Sequence, residues 1–223
     1  MKHIVGCACA TILGAGLALP AQAQESSSNF SIGVTGGSLG IGPEAGARIN
    51  STIGVRANAS FFDFTHDFDV NDIDYSGKVK LESYGANIDL YPFDGGFRLS
   101  AGFRINRNQV NAVATPAGPV TVGDATFTPT QIGTLTGNAR TNDVAPTLTV
   151  GYAGGLTKGI KFGVDAGAMF QGSPTVGELQ STGMFANDPN FRTQLDKERR
   201  DLNNKINDYK VYPILQLSLF YAF

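Results

Sequence analysis

The sequence contains no tryptophan and two cysteines, Cys7 and Cys9, which both lie in a segment that we predict to be removed. The remaining chain then has no thiol, which excludes disulfide bonds and cysteine chemistry. After residue 23, no apolar run approaches the about 20 residues that a membrane-spanning helix requires. A helical membrane protein is therefore excluded.

The chain also lacks a strong charge of either sign. It has 17 basic and 19 acidic side chains, for a formal net charge of −2. Removal of the segment that contains Lys2 makes this −3, with 16 basic and 19 acidic side chains. Because general nucleic-acid binders carry a basic surface, we expect no nucleic-acid partner.

The first 23 residues have the three parts of a secretory signal peptide. Lys2 gives a positive start, residues 4–19 are apolar, and the small-residue sequence AQA at 21–23 is a cleavage site. We predict cleavage after Ala23, which leaves one domain over residues 24–223. An exported chain without a membrane-spanning helix is periplasmic, secreted or a barrel of the bacterial outer membrane.

The mature chain alternates apolar with small or polar residues in eight stretches. Such period-two alternation is typical of a strand with one apolar face. The predicted strands span residues 30–35, 39–49, 53–61, 84–90, 97–105, 144–152, 160–171 and 215–223. In the last one, the leucines and aromatic residues from Leu215 to Phe223 alternate with Gln216, Ser218, Phe220 and Ala222.

The composition of the two strand faces indicates which solvent surrounds them. One face is mostly Gly, Ser, Thr and Asn with isolated charges, while the other is uncharged over about ten residues, the length that a tilted strand needs to cross hydrocarbon. In lipid every backbone polar group needs an internal partner, so the strands must close into a ring. We therefore predict an all-β fold, an eight-stranded antiparallel up-and-down transmembrane β-barrel, with outer-membrane lipid as its surroundings.

The lengths of the connections predict the orientation of the barrel. Those after the second, fourth and sixth strands (50–52, 94–96 and 154–159) are short, and those after the third, fifth and seventh are long. Short periplasmic turns and long extracellular loops are typical of bacterial barrels. Both chain termini are then periplasmic.

The last long loop contains one predicted helix, over residues 189–207. Asp188 is placed to cap it and Pro189 to occupy its first turn. An apolar stripe follows at helical spacing, formed by Phe191, Leu195, Leu202, Ile206 and Tyr209. This stripe must pack on the barrel rim or on a partner, and we expect the rim.

The loop predicted after the third strand is rich in aspartate. Five aspartates in residues 63–74 surround His66. A calcium site is one interpretation, but the EF-hand pattern fails because Asp72 stands at the glycine position and Lys78 at the twelfth. We expect a solvated surface loop and no metal.

Catalysis has weak support in the sequence. His66 is the single histidine of the mature chain, and a triad would combine it with Ser60 or Ser76 and with Asp63 or Asp67. Neighbours in sequence do not make a triad, which depends on geometry. We expect no enzyme and no cofactor.

Charged residues on the polar strand faces form the candidate site. In this register the barrel interior carries Glu44, Arg48, Arg56, Asp89, Arg98, Arg104, Lys161 and Asp165. Because an eight-stranded barrel is about filled by its own side chains, these charges form an ion-pair plug in one interpretation. In the other they line a polar path, where the carboxylates meet a cationic solute and the basic groups meet its carboxylate.

Two long stretches, residues 142–179 and 195–223, carry distinctive phrases: "APTLTVGYAG", "FQGSPTV", "DKERRD" and "NDYKVYP". They resemble the CarO-like family of small outer-membrane proteins, which are linked to carbapenem susceptibility and described as channels for ornithine and other basic amino acids. The resemblance implies an outer-membrane barrel and a small channel for passive uptake of polar solutes such as basic amino acids. The alternative is a closed structural or surface-contact barrel without transport.

The end of the chain has a further expected role. Leu219, Tyr221 and Phe223 stand at alternate positions, and this ending resembles the sorting signature that the assembly machinery of outer-membrane barrels reads. The expected partners are therefore this machinery, membrane lipid and small amino-acid solutes.

Overall fold

The computed structural model describes residues 29–70, 73–93, 95–154 and 158–223, so the predicted signal peptide and its cleavage site lie outside the described residues. No helix in this described part is long and apolar enough to cross a membrane. The strands are β1 (Phe30–Gly37), β2 (Gly40–Arg48), β3 (Ile53–Val70), β4 (Ile73–Leu90), β5 (Phe97–Asn106), β6 (Gln109–Pro116), β7 (Val120–Val122), β8 (Ala125–Phe127), β9 (Leu135–Arg140), β10 (Val144–Tyr152), β11 (Gly159–Phe170), β12 (Thr175–Val176), β13 (Gln180–Ser181) and β14 (Val211–Ala222). The helices are α1 (Pro129–Ile132) and α2 (Pro189–Ile206).

Eight of these strands form a closed antiparallel ring in the order β1-β2-β3-β4-β5-β10-β11-β14. The ring closes where β14 pairs with β1, with Val34 opposite Leu219. Each strand of the ring lies beside its neighbours in chain order, with β5 joined to β10 and β11 joined to β14 by long connections. The predicted eight-stranded up-and-down barrel is confirmed.

The outer face of the ring is apolar and exposed. Leu217 is 66% exposed, Phe162 is 74% exposed and Ile88 is 62% exposed. The side chains that alternate with them point inward, and Gln216 and Ser218 of β14 are buried. This is the reverse of a water-soluble barrel, and it is the pattern that a barrel surrounded by hydrocarbon requires.

The two ends of the barrel differ, and we name them by their contents. The proximal end holds the start of β1, the end of β14 and the connections β2–β3, β4–β5 and β10–β11. The distal end holds the β1–β2 hairpin and the longer segments between β5 and β10 and between β11 and β14. The predicted turns 94–96 and 154–159 fall partly outside the described residues.

The aspartate-rich segment is a strand pair and not a loop over residues 63–70 and 73–74, which corrects the sequence prediction, while Asp72 lies outside the described residues. β3 and β4 pair continuously from Ile53 opposite Leu90 to Val70 opposite Ile73. The reason is that alternation resumes past Phe61 on the opposite strand face, with aromatic residues at 62 and 64 and aspartates at 63 and 67. The predicted strands 53–61 and 84–90 were therefore too short.

Beyond the barrel, this strand pair is the start of a larger sheet. Residues 73–80 of β4 pair with β6, β6 pairs with β9, and β9 pairs with β12 and β13. We call residues 62–70 and 73–82 of the β3–β4 pair together with β6, β9, β12 and β13 the distal sheet. The long connection after the fifth barrel strand thus contributes β6 and β9 to this sheet.

Helix α2 packs against the segment that precedes β9, and not on the barrel rim as expected. Phe191 and Leu195 are buried together with Val122 of β7 and Ile132 of α1. The other members of the predicted stripe are less buried, and Tyr209 is 67% exposed. The predicted cap is present, because the Asp188 side chain accepts hydrogen bonds from two backbone N–H groups of the first turn.

The lipid-facing assignment predicts the effect of one charge. Leu217→Arg puts a guanidinium at the middle of the outer face of β14, where we expect the free energy of unfolding to fall by about 2–4 kcal/mol. Equilibrium urea unfolding in lipid vesicles measures it. Met184→Arg, at an exposed distal position, is the control and should leave this free energy unchanged. Equal stability of the two variants would contradict the assignment.

Candidate functional site

All eight predicted interior charges project into the barrel or its proximal mouth. Seven are buried, and Arg48 is half-buried. They come from β2, β3, β4, β5 and β11, so distant parts of the sequence meet across the lumen. The structure brings five of them into direct contact: Glu44, Arg56, Asp89, Arg98 and Asp165.

Arg56 is the centre of this group. One terminal nitrogen of its guanidinium lies 3.2 Å from Glu44 and 3.0 Å from Asp165, and its Nε lies 3.2 Å from Asp89. Its other terminal nitrogen donates to Asp89 and to the hydroxyl of Ser100, both at 3.3 Å. One planar cation therefore joins strands on opposite sides of the lumen.

Arg98 makes a bidentate pair beside it. Its Nε and Nη2 donate to the two oxygens of Asp165 at 3.0 and 2.6 Å, and its Nη1 lies 3.8 Å from Asp89. Paired hydrogen bonds of this kind fix both groups in orientation as well as in distance. Because Arg56 and Arg98 share two carboxylates, the five charges form a single network.

Glycines leave space for the charged side chains of the lumen, both inside this network and beside Arg104. A Cβ atom on Gly151 would lie 2.2 Å from Oδ1 of Asp165, and one on Gly85 would lie 2.6 Å from Nη1 of Arg104. Neither gap accepts a side chain without displacing a buried charged group. The small residues of the inward face are thus required by the large ones that lie opposite them.

Arg104 lies apart, toward the distal end, and is held by neutral groups. It donates to Asn58 at 2.7 Å and to the hydroxyls of Ser83 and Ser60. Within the described residues no carboxylate lies in ion-pair distance of it. The Asn58 amide also donates to Glu44 at 3.4 Å, so it links Arg104 to the ion-pair network.

The remaining two charges lie at the proximal mouth. Arg48 donates to the Gly95 carbonyl at 2.6 Å, and its guanidinium carbon lies 3.5 Å from the centre of the Tyr91 ring. Lys161 donates to the Gly154 carbonyl. Backbone carbonyls of the proximal connections therefore hold both cations, away from the three carboxylates.

A small apolar cluster covers the distal end of the lumen, and sequence reasoning missed it. Leu39, Ala145, Met169 and Ile214 are buried against one another, with Tyr212 packed beside them. The signal was present, because Ala145, Met169 and Ile214 interrupt otherwise polar inward positions near the distal ends of their strands. Apolar residues at one level of a polar lumen indicate a closed layer.

The space left in the lumen is small. A cavity of about 50 Å³ lies on the proximal side of the network and one of about 20 Å³ on the distal side. Arg56 lines both, so its side chain lies between them. Since one water needs about 10–15 Å³ of such volume, these cavities hold about one to four waters each.

The residues considered for catalysis are not brought together. Ser60 is buried in the barrel against Arg104, whereas His66 lies six residues further along β3 and stacks on Phe64. Ser76 is opposite Asp67, while His66 is opposite Gly77, so the serine and the histidine point to different faces of the hairpin. In the part of the chain that the structure describes, no three His, Cys, Asp or Glu side chains are grouped to hold a metal ion.

A separate ion pair lies where β4 leaves the barrel. Nζ of Lys80 is 2.7 Å from Glu82, and the Tyr84 hydroxyl donates to the same carboxylate at 3.1 Å. The hydrogen bond from Lys80 lowers the pKa of Glu82, and the same bond raises the pKa of Lys80. Both groups stay charged through neutral pH and have no contact with the lumen network.

No protein-family model matches the chain, and no curated protein sequence matches it. Solved structures do. The crystal structure of Acinetobacter baumannii CarO2 matches with a TM-score of 0.59 and 19% identity, over 87% of this chain and 98% of that one. Acinetobacter baumannii CarO matches with a TM-score of 0.55 and 20% identity, over 91% of this chain and all (100%) of that one.

The fold is that of the CarO barrels. The resemblance inferred from the sequence is therefore confirmed for the fold. The match covers most of both chains. At this level of sequence identity the comparison shows the fold alone. The role of the lumen charges has to be argued from their geometry.

The ion-pair network predicts a large effect of removing its central cation. Arg56→Met leaves Glu44 without its guanidinium partner and leaves Asp89 and Asp165 with Arg98 alone. Loss of one partner from a buried ion pair costs about 3–5 kcal/mol. We expect the free energy of unfolding to fall by that amount in vesicles. Arg140→Met, at an exposed position of β9, is the control and should change it little. Equal stability of both variants would contradict the network as described.

Proposed function

We propose that this protein is an outer-membrane barrel with a closed lumen, which anchors an extracellular sheet and helix for surface contact. In this proposal residues 1–23 are a signal peptide cleaved after Ala23, the proximal end faces the periplasm and the distal end faces outward. The exposed apolar belt and the CarO fold support the membrane location. Membrane lipid is then the partner of the whole outer face.

The filled lumen is the observation that supports a closed state of the barrel. Arg56 and Arg98 with their carboxylates occupy the middle of the barrel, and the apolar cluster around Met169 covers the distal end. The cavities on the two sides of the network have room for a few waters each and for nothing larger. An amino acid is larger than either space, so passage needs at least two buried side chains to move.

The distal sheet supports the surface-contact role. Beyond Phe61, β3 has β4 on one side and no strand on the other among the described residues. Unpaired strand edges are sites where another chain adds on. The rings of Phe62, Phe64 and His66 stack along this edge, and both phenylalanines are about half exposed. An exposed edge with aromatic side chains is suited to protein contact.

Uptake of basic amino acids is the second candidate. The convergence of Glu44, Asp89 and Asp165 favours it, because three carboxylates within reach of one cation form a site that a cationic solute can share. In that proposal, an incoming amino acid displaces Arg56 from its partners. The carboxylates then set a preference for basic over neutral solutes.

The end of β14 is placed for a role in assembly. Leu219, Tyr221 and Phe223 point outward at the proximal end, and the last two rings contact each other with centres 5.0 Å apart. We propose that barrel assembly machinery reads these three side chains from the periplasmic side. Replacement of Phe223 then lowers the yield of membrane-inserted protein without changing stability after refolding.

Conductance and liposome swelling separate the two candidates. For the closed barrel we expect no single-channel steps in planar bilayers, and no swelling with ornithine or a neutral amino acid beyond that of protein-free liposomes. Asp89→Asn serves as the comparison. Faster swelling with ornithine than with the neutral solute, lost in Asp89→Asn, would establish uptake, and equal swelling with both would establish an unselective pore.

Cysteine labelling tests the orientation, since the predicted mature chain has no thiol of its own. Asp196→Cys is on exposed α2 and should react with a membrane-impermeant maleimide on intact cells. Asn50→Cys is in the proximal β2–β3 connection and should react only after the outer membrane is permeabilised. The reverse pattern would overturn the orientation. N-terminal sequencing of the same protein should begin at Gln24.

A further inference from the structure

A cavity of about 390 Å³ lies between the distal sheet and helix α2. Its floor is one face of β4, β6 and β9, and its other walls come from β7, β12 and α2. This volume falls in the about 300–1,000 Å³ range of small-molecule sites, toward the lower end. We call it the distal cavity, and it is separate from the barrel lumen.

The register of the sheet explains why this floor is apolar. Tyr75 is opposite Ala114, and Ala114 is opposite Leu135, so these side chains share one face. The same face continues through Ile73 and Pro116 on one side and Val110 and Ala139 on the other. Leu179, Val176 and Leu202 line the remaining walls. Walls of this kind hold water poorly and favour apolar ligands.

Helix α2 seals one part of this face and leaves another open. Phe191 and Leu195 fill the apolar cluster at its N-terminal half, whereas Leu202, two turns further on, lines the cavity. Between them Glu198 occupies a position that the apolar stripe would give to a hydrophobic side chain. The helix therefore presents a carboxylate where simple packing requires none.

Glu198 is the one charged side chain among the described residues that line the distal cavity. Its Oε2 accepts from the Gly123 N–H at 3.1 Å, which fixes the carboxylate against the β7–β8 turn. Gln194 holds the same turn by accepting from the Asp124 N–H at 2.8 Å. Within the described part of the chain, Oε1 of Glu198 makes no hydrogen bond. A fixed carboxylate with one oxygen available beside an apolar wall suits a donor that is itself cationic.

We propose that the distal cavity binds a small hydrophobic amine, with its apolar body on the sheet face of Tyr75, Ala114 and Leu135 and its ammonium group on Glu198. A neutral molecule of the same shape fills the cavity but leaves the carboxylate without its partner. A strongly polar amine, such as an amino acid, has too little apolar surface to pack against the apolar walls. The site therefore selects for one charge on an otherwise apolar skeleton.

Amine binding in the distal cavity is independent of whether the lumen conducts. Binding occurs in the distal cavity of a closed or an open barrel, so conductance and binding are separate measurements. Deletion of α2 abolishes the site in either case, because Glu198 and Leu202 are removed with it. A channel result would overturn the closed-barrel proposal and leave this one intact.

Phenethylamine is a suitable probe, and phenethyl alcohol is its uncharged match. Full-length mature protein in lipid nanodiscs avoids competition by detergent, and calorimetric titration measures both affinities. We expect wild type to bind the amine more tightly than the alcohol. In Glu198→Gln, which keeps an acceptor for the Gly123 N–H, the amine should bind about tenfold more weakly while the alcohol is unaffected.

Two further variants complete the test. Asp201→Asn removes an exposed carboxylate of the same helix and should leave both affinities unchanged. Ala114→Leu fills the floor of the cavity and should abolish binding of amine and alcohol alike, with barrel folding checked by heat-modifiable gel migration. Equal binding of amine and alcohol by wild type, absence of amine binding, or an unchanged amine affinity in Glu198→Gln would each overturn the proposal.

Discussion

Closure of the eight-stranded ring is the constraint on which the rest of this molecule depends. Hydrocarbon offers no partner to a backbone N–H or C=O group, so the pairing of β14 with β1 is required for a stable barrel. A ring of eight strands leaves an interior about as wide as the side chains that fill it. Every charge that the inward faces carry must therefore find its partner within a few ångströms.

The charges in the lumen follow from that width. Arg56 reaches three carboxylates because β2, β4 and β11 surround it within the span of one side chain. The free-energy cost of taking these charges out of water exceeds the attraction within a single ion pair. A shared network with several hydrogen bonds to each group is therefore needed. Arg104 meets the same requirement with hydroxyl and amide oxygens, while Arg48 and Lys161 meet it with backbone carbonyls. The filled lumen is the result of these separate requirements.

Outside the barrel the constraint is relaxed, and the architecture changes. Strands β3 and β4 leave the ring as a pair, and a sheet with open edges is built on them, which water can tolerate and lipid cannot. Its polar face carries Lys80 and Glu82, and its apolar face is covered in part by α2. The distal cavity exists because the helix covers only part of that face. The two candidate sites therefore arise from opposite conditions. The lumen charges lie in a space that side chains fill, whereas the distal cavity lies on a sheet face that is only partly covered.

The sequence by itself determined the strand alternation, the ring of eight strands and the inward direction of the eight charges, because each depends on local periodicity and on the solvent that the outer face requires. It also placed the Asp188 cap, which is a contact within one turn. Tertiary structure alone decided the rest. The aspartate-rich segment became a strand when β4 paired with it. Arg56 contacts Asp165, which is 109 residues further along the chain, and Phe191 is buried against residues of β7 and α1. These contacts depend on which strands become neighbours when the ring closes. The alternation of apolar and polar residues has the same period in every strand, so it does not identify the neighbouring strand.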